Sequence, residues 1–209
     1  MCRRYTTSYV QTIHRDKCKL GQNVDLTHGN TLRDRMTKYE RCYSFVDYVK
    51  LNCRTNKRFA SSLNHADYQS GTESNIWDLL CRFDVDIEND NERIPFILIG
   101  AAIARGDNHN IHTLPLGRAI YKSFPNGDEQ GSARLRRLIS CDTTEEVCNV
   151  LRPLLGLLQS KIKISINYAE LLCQLIEYSN NPESVRMIWT NDFYRFRPEE
   201  ESSSQKGEA

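Results

Sequence analysis

Three arginines stand within four residues, at positions 134, 136 and 137, in a segment whose apolar residues recur at helical spacing. Arginine suits phosphate contact, because its planar guanidinium offers several donors and keeps its charge. On a helix that buries Leu135, Arg134 and Arg137 lie side by side on the outer face, whereas Arg136 points elsewhere. No acidic residue stands four positions after any of them to form an intrahelical pair. The pattern favours joint contact of Arg134 and Arg137 with one anionic group over a merely solubilising face.

Two other basic positions could serve the same chemistry. Lys57 and Arg58 are adjacent, with Arg54 close before them. Arg152 has no acidic residue three or four positions away, so we expect it to face outward toward a partner. Cationic side chains that neutralise phosphates bind nucleic acid without reading its sequence.

Sequence signatures of enzymes are absent. The chain lacks the phosphate-loop, dinucleotide-binding, nucleophile-elbow and zinc-protease motifs. His109 and His112 could present two imidazoles, but their segment offers no cysteine and no third acidic ligand, which favours a solvated loop. The acidic residues between Asp84 and Glu92 lack the glycine and terminal glutamate of a calcium loop. We therefore expect no enzymatic activity, no metal and no cofactor.

The distribution of charge is more informative than its total. The 209 residues carry 28 basic and 27 acidic side chains. Residues 1–70 have a net charge of +7, whereas residues 71–130 have a net charge of −5. A near-neutral chain with a basic first third can bind an anionic partner locally.

Hydropathy and cysteine positions indicate a cytoplasmic protein. The longest apolar run, residues 94–104, is shorter than the roughly 20 residues that a membrane-spanning helix needs. No apolar stretch follows Met1, so we expect no secretory signal and no membrane association. The eight cysteines are scattered and form no C-x-x-C pair. We expect them to be free thiols in a reducing compartment.

The spacing of apolar residues predicts an all-α protein, a helical bundle of about eight or nine helices. Residues 1–35 show no sustained period and are interpreted as a loosely structured basic extension. Residues 36–197 form the helical domain, either whole or as two halves, 36–124 and 128–197. Residues 198–209 are predicted to be a disordered acidic tail. The apolar segment from Arg93 to Arg105 is predicted to be a buried helix with Pro95 in its first turn.

Helix signals are clearest in the last third of the chain. Thr143 with Glu146 forms a predicted capping box. Pro153 lies inside the apolar pattern that follows and should kink or interrupt that helix. Asn181 and Pro182 predict the start of a final helix, which carries Trp189. The last four helices are expected to pack as one bundle.

Four segments also follow one another in a recognisable order: LGRAI from Leu116, ARLRRLISCDTTEEVCNVLRPLL from Ala133, INYAELLCQLIEY from Ile166 and VRMIWTNDFY from Val185. This order and its spacings resemble the CasB family, the small subunit of the type I-E CRISPR Cascade complex. The resemblance covers roughly residues 41–197 and implies an all-helical fold.

The resemblance also implies a function. It suggests a non-enzymatic subunit, present in two copies, that holds DNA during R-loop formation and contacts the large and backbone subunits. The implied partners are those subunits, the guide RNA, the target DNA and a second copy of the chain. By position, Arg134 and Arg137 match the family's "R.rRLL" helix, Arg118 matches "lGra" and Arg152 matches "Lr.ll".

The sequence departs from the family pattern at one early helix. Relatives carry an adjacent arginine pair in a segment "alRRa", where this chain has Ser61 and Ser62. Lys57 and Arg58 lie one turn earlier and are candidates to replace that pair.

Two function classes follow from these observations. The first is a subunit that grips nucleic acid independently of its sequence. The alternative is a helical scaffold that binds protein neighbours and has negligible DNA affinity, which the near-neutral charge supports. A helix-turn-helix regulator is disfavoured, because no polar recognition helix follows a short glycine turn.

Overall fold

The computed structural model describes residues 37–106, 113–124, 128–161 and 165–195. The predicted extension of residues 1–35, the loop with His109 and His112, and the predicted tail of residues 198–209 lie outside the described residues. Within the described ranges, no helix is both long enough and apolar enough to cross a membrane.

Nine α-helices account for most of the described residues, which confirms the all-α prediction. They are α1 (Lys38–Thr55), α2 (Lys57–His65), α3 (Trp77–Arg82), α4 (Asp90–Arg105), α5 (Leu116–Ser123), α6 (Asp128–Ile139), α7 (Thr144–Lys161), α8 (Tyr168–Tyr178) and α9 (Pro182–Tyr194). A 3₁₀ turn, Glu73–Ile76, precedes α3. Two strands, β1 (Thr113–Leu114) and β2 (Ser165–Ile166), form a short parallel pair. Strands of two residues are too short to show alternation in a sequence.

Side-chain caps start the helices where the sequence predicts them. Thr143 Oγ1 accepts a hydrogen bond from the Glu146 amide at 3.2 Å. The Glu146 carboxylate completes the cap one residue earlier than a standard capping box, accepting from the Asp142 amide at 2.8 Å. Asn181 caps α9 by accepting from the Ser184 amide, with Pro182 in the first turn.

The prediction for Pro95 is wrong, and the predicted interruption at Pro153 is not found. Helix α4 begins at Asp90, capped by Asn89, so Pro95 lies in its second turn rather than its first. The prediction followed the apolar run and missed the acidic first turn, which complements the helix dipole. Pro153 does not interrupt α7, which is helical through Lys161. Pro153 is exposed, and the leucines buried on the opposite face hold the helix on the core at that point.

Helix α4 is the central element of the fold. Its residues from Ile94 through Ile103 are all buried, and it packs against α1, α2, α7 and α8. The last four helices pack as one bundle as predicted, since each of α6, α7 and α8 contacts the next and α9 contacts α6. Helix α5 packs against α9 and also contacts α6 and α7.

Contact between α5 and α9 is close because of a glycine. A Cβ atom at Gly117 would clash with the Trp189 carbonyl oxygen and lie 2.8 Å from Asp192 Cβ. Trp189 itself is fully buried. Its indole stacks on Tyr178, with ring centroids 5.8 Å apart, and its Nε1 donates to Gln174 Oε1 at 2.7 Å.

We predict that Trp189→Ala lowers the free energy of unfolding by about 3–5 kcal/mol, because it opens a large cavity and leaves Gln174 without its partner. Urea denaturation followed by circular dichroism measures this change. The control is Trp77→Ala, since Trp77 is 43% exposed and its loss should cost no more than about 0.5 kcal/mol. If the two substitutions lowered the free energy of unfolding equally, the buried packing of Trp189 would not be a main contribution to stability.

The six cysteines that the structure describes are all free thiols. Burial raises the pKa of the Cys53, Cys141 and Cys148 thiols, so they stay protonated and react slowly. A hydrogen bond with Cys173 raises the pKa of Cys42.

We predict that thiol titration in denaturant without reductant detects nearly all eight cysteines of the chain. The buried thiols should react only after unfolding, so native protein should give a lower count. Six or more oxidised thiols in protein kept anaerobic would contradict this prediction and the expected reducing compartment.

Candidate nucleic-acid interface

Helix α6 divides into a buried face and a basic face. Leu135 and Leu138 are buried, whereas Arg134, Arg136 and Arg137 are exposed. This is the division that the helical period predicts. Arg134 and Arg137 are thus exposed on one side of the helix, and Arg136 is exposed on another.

An aromatic ring holds two cations at this surface. The Arg134 guanidinium lies 4.9 Å from the centroid of Phe124, and Lys161 Nζ lies 4.2 Å from the same centroid. Cation–π contacts of this kind contribute about 0.5–1 kcal/mol each at exposed sites. Because the ring carries no net charge, the contact positions Arg134 and Lys161 without neutralising them.

The other two arginines of α6 differ from each other. Arg136 Nε donates to the Ser132 carbonyl of its own helix at 3.4 Å, a weak bond. The Arg137 side chain makes no hydrogen bond or ion pair with any residue that the structure describes. Arg134, Arg137 and Lys161 therefore present charge that no described carboxylate cancels.

Lys57 and Arg58 are exposed in the first turn of α2. Asn56 caps this helix by accepting from the Phe59 amide at 3.1 Å. The positive end of the helix dipole adds to the two cations, which favours anions here. Neither side chain forms an ion pair within the described ranges.

Arg118 and Arg152 are engaged within the fold. Arg118 is half-buried on α5, beside the close contact at Gly117, and interacts within the chain. Arg152 Nη2 pairs with Asp67 Oδ1 at 2.6 Å, and its guanidinium lies 4.4 Å from the centroid of the Tyr68 ring. The sequence predicted no acidic partner near Arg152, because Asp67 stands 85 residues earlier in the chain.

Comparison with known proteins identifies the family. The family model of the CRISPR-associated protein Cse2 matches residues 58–194, about two thirds of the chain. The chain belongs to the Cse2 family. This confirms the resemblance seen in the sequence, because CasB and Cse2 name one group of proteins among the similar structures. No curated protein matches the sequence.

Solved structures share the fold of this Cse2-family chain. CasB from Thermobifida fusca has 20% identity and a TM-score of 0.59, over 76% of this chain and 99% of that one. A Cse2-family CRISPR-associated protein from Thermus thermophilus has 17% identity and a TM-score of 0.59, over 74% and 97%. A chain of a CRISPR RNA-guided surveillance complex has 17% identity and a TM-score of 0.59, over 76% and 94%.

Sequence reasoning about the interface missed Phe124, Lys161 and Asp67. Phe124 and Lys161 belong to different helix ends and meet Arg134 only in the folded chain. An aromatic residue directly before the sequence Pro125–Asn126–Gly127 was the available signal for the first. Asp67 left no local signal, because its contact with Arg152 joins distant segments.

The pair between Asp67 and Arg152 makes stability depend on pH. The hydrogen bond from Arg152 holds the pKa of the Asp67 carboxyl below its ordinary value of 3.8. A lowered native-state pKa stabilises the fold above the ordinary value, and this contribution disappears as the pH falls through the native value.

We predict that Asp67→Asn lowers the free energy of unfolding by about 0.2–1 kcal/mol at pH 7, since the pair is partly exposed. The difference from wild type should shrink as the pH falls below 4, because asparagine resembles a protonated carboxyl. Urea denaturation at a series of pH values measures it. A difference that stays constant with pH would show that the ion pair does not contribute.

Proposed function

We propose that this Cse2-family protein is the small subunit of a type I-E CRISPR Cascade surveillance complex and holds nucleic acid independently of sequence while an R-loop is open. Family membership supports the assignment to the complex. The observation that carries the nucleic-acid role is the pair of exposed arginines on α6, Arg134 and Arg137, with Lys161 beside them on Phe124.

The geometry suits phosphate rather than base recognition. Arg134 and Arg137 are one helical turn apart on an exposed surface, where they can meet neighbouring phosphates of one strand. In an RNA-guided complex, pairing with the guide supplies sequence specificity, so a subunit beside the displaced strand needs only backbone contacts. No enzymatic step is part of this role.

A scaffold with negligible DNA affinity is the second candidate. Several large apolar side chains are exposed, as contacts with protein neighbours would require: Tyr39, Leu51 and Met187. In a complex, the proposed neighbours are the large subunit, the backbone subunits and a second copy of this chain. Measured DNA binding distinguishes this candidate from the first, because the scaffold requires none.

We predict that the double substitution Arg134→Ala, Arg137→Ala weakens binding to all DNA sequences alike. Each phosphate contact contributes about 0.9 to the slope of log affinity against log salt on duplex DNA and about 0.7 on single strands. The slope should therefore fall by roughly 1–2. Fluorescence anisotropy across a salt series measures it, with the protein alone and in the reconstituted complex.

Arg136→Ala is the matched control, because Arg136 lies on the same helix but points away from the other two and contacts Ser132. Its slope should stay close to wild type. An unchanged slope in the double variant, with a native circular dichroism spectrum, would favour the scaffold function. A loss that depends on DNA sequence would indicate base recognition and contradict the proposal.

A further inference from the structure

A polar cleft opens where the end of α2 meets the end of α4 and the middle of α7. Its volume is about 230 Å³, and it is lined by Asn64, Ala66, Asp67, Arg105 and Arg152. Pockets for drug-sized ligands are larger, about 300–1,000 Å³. The cleft is therefore suited to one small group rather than to an extended ligand.

Contacts on three sides fix the Arg152 guanidinium in this cleft. Asp67 accepts from Nη2 at 2.6 Å, and Gln69 Oε1 lies 3.4 Å from Nη1. The Tyr68 ring stacks against the guanidinium, with its centroid 4.4 Å away. Arg152 lines the cleft and Tyr68 does not, which points to the guanidinium face away from Tyr68 as the one available to a ligand.

The loop that carries these contacts is held in place. Asn149 Oδ1 of α7 accepts from the Tyr68 hydroxyl and from Gln69 Nε2, both at 2.7 Å. Thr72 Oγ1 donates to the His65 carbonyl at 2.7 Å. A preorganised guanidinium loses little conformational entropy on binding, which favours stacking of a planar ligand.

Charge distinguishes the two arginines of the cleft. Asp67 stays ionised at neutral pH, because the hydrogen bond from Arg152 lowers its pKa, so these two side chains cancel each other. Arg105 is exposed in the last turn of α4 and supplies the surplus positive charge. The cleft therefore offers a planar stacking surface, polar groups at its edge and one cation for an anionic group.

We propose that this cleft takes one unstacked base of a single-stranded nucleic acid. The base stacks on Arg152, polar groups of Asn64 and Asp67 border its edge, and Arg105 contacts the adjacent phosphate. Stacking on a guanidinium accepts every base, because each base has a π-face. This inference rests on the proposed function and assigns to the bound strand a base contact that the α6 surface does not provide.

The test compares two single-stranded oligonucleotides of equal length and phosphate number, oligo(dT) and its fully abasic analogue. The full-length protein should bind oligo(dT) about tenfold more tightly, the effect of stacking one base. Asn64→Trp fills the cleft from an exposed position and should remove this preference while leaving the salt slope unchanged. His65→Trp is the matched control, because His65 is exposed, adjacent and outside the cleft, and it should keep the preference.

The outcomes separate this inference from the proposed function. Equal affinity of wild type for the two oligonucleotides would overturn the base site and leave phosphate contact intact. Binding of neither oligonucleotide would overturn both. A preference that survives in Asn64→Trp would place base contact elsewhere and overturn the assignment to this cleft. Thymidine monophosphate could also compete with oligo(dT) for the cleft. If it bound as tightly as the oligonucleotide does, the cleft would be a site for free nucleotides, which would contradict binding of a strand.

Discussion

The close contact between α5 and α9 is the constraint on which the basic surface depends. Gly117 lets the two backbones approach until a side chain no longer fits between them, at the Trp189 carbonyl and the Phe193 amide of α9. This contact fixes α5, and Phe124 lies immediately after the last turn of α5. Because Arg134 and Lys161 both lie over Phe124, the packing of Gly117 against the α9 backbone helps to set the positions of two cations. The positions of these two cations in the candidate interface thus depend on packing in the core.

The basic side chains of this protein fall into two groups according to the groups that they contact. Arg41 pairs with Glu92, and Arg186 donates to the Cys141 carbonyl at 2.6 Å and to the Tyr178 hydroxyl at 3.0 Å. These contacts join distant segments of the fold. The charge of Arg41 and the hydrogen-bond donors of Arg186 are therefore already engaged within the protein. Arg134 and Lys161 are held instead by a neutral ring, which positions a charge and leaves it available. Whether a cation is held by a carboxylate or by a neutral ring therefore indicates its availability to an anionic partner better than the number of arginines does.

Local signals predicted much of the fold, and distant contacts account for what they missed. The cap at Thr143, the start at Asn181 and the two faces of α6 each depend on residues within about one turn, so a sequence pattern contains them. The predicted interruption at Pro153 does not occur, because buried leucines on the other side of α7 outweigh the local cost of a proline. Within the candidate interface, Arg134 and Arg137 followed from helical spacing. The pairing of Arg152 with Asp67 did not, since no local rule connects α7 to the loop after α2.

A near-neutral chain suits the proposed role better than a strongly basic one. Charges farther apart than about 8 Å are largely screened at physiological salt, so a strand at the surface responds to the nearest side chains rather than to the total of +1. A few unpaired cations give weak, salt-dependent binding, and attraction for unrelated nucleic acid stays low. In a complex, other subunits and guide pairing bring the strand to the surface, which raises its effective concentration. The proposed role therefore requires only weak contacts on α6, without sequence recognition or high affinity of the protein on its own.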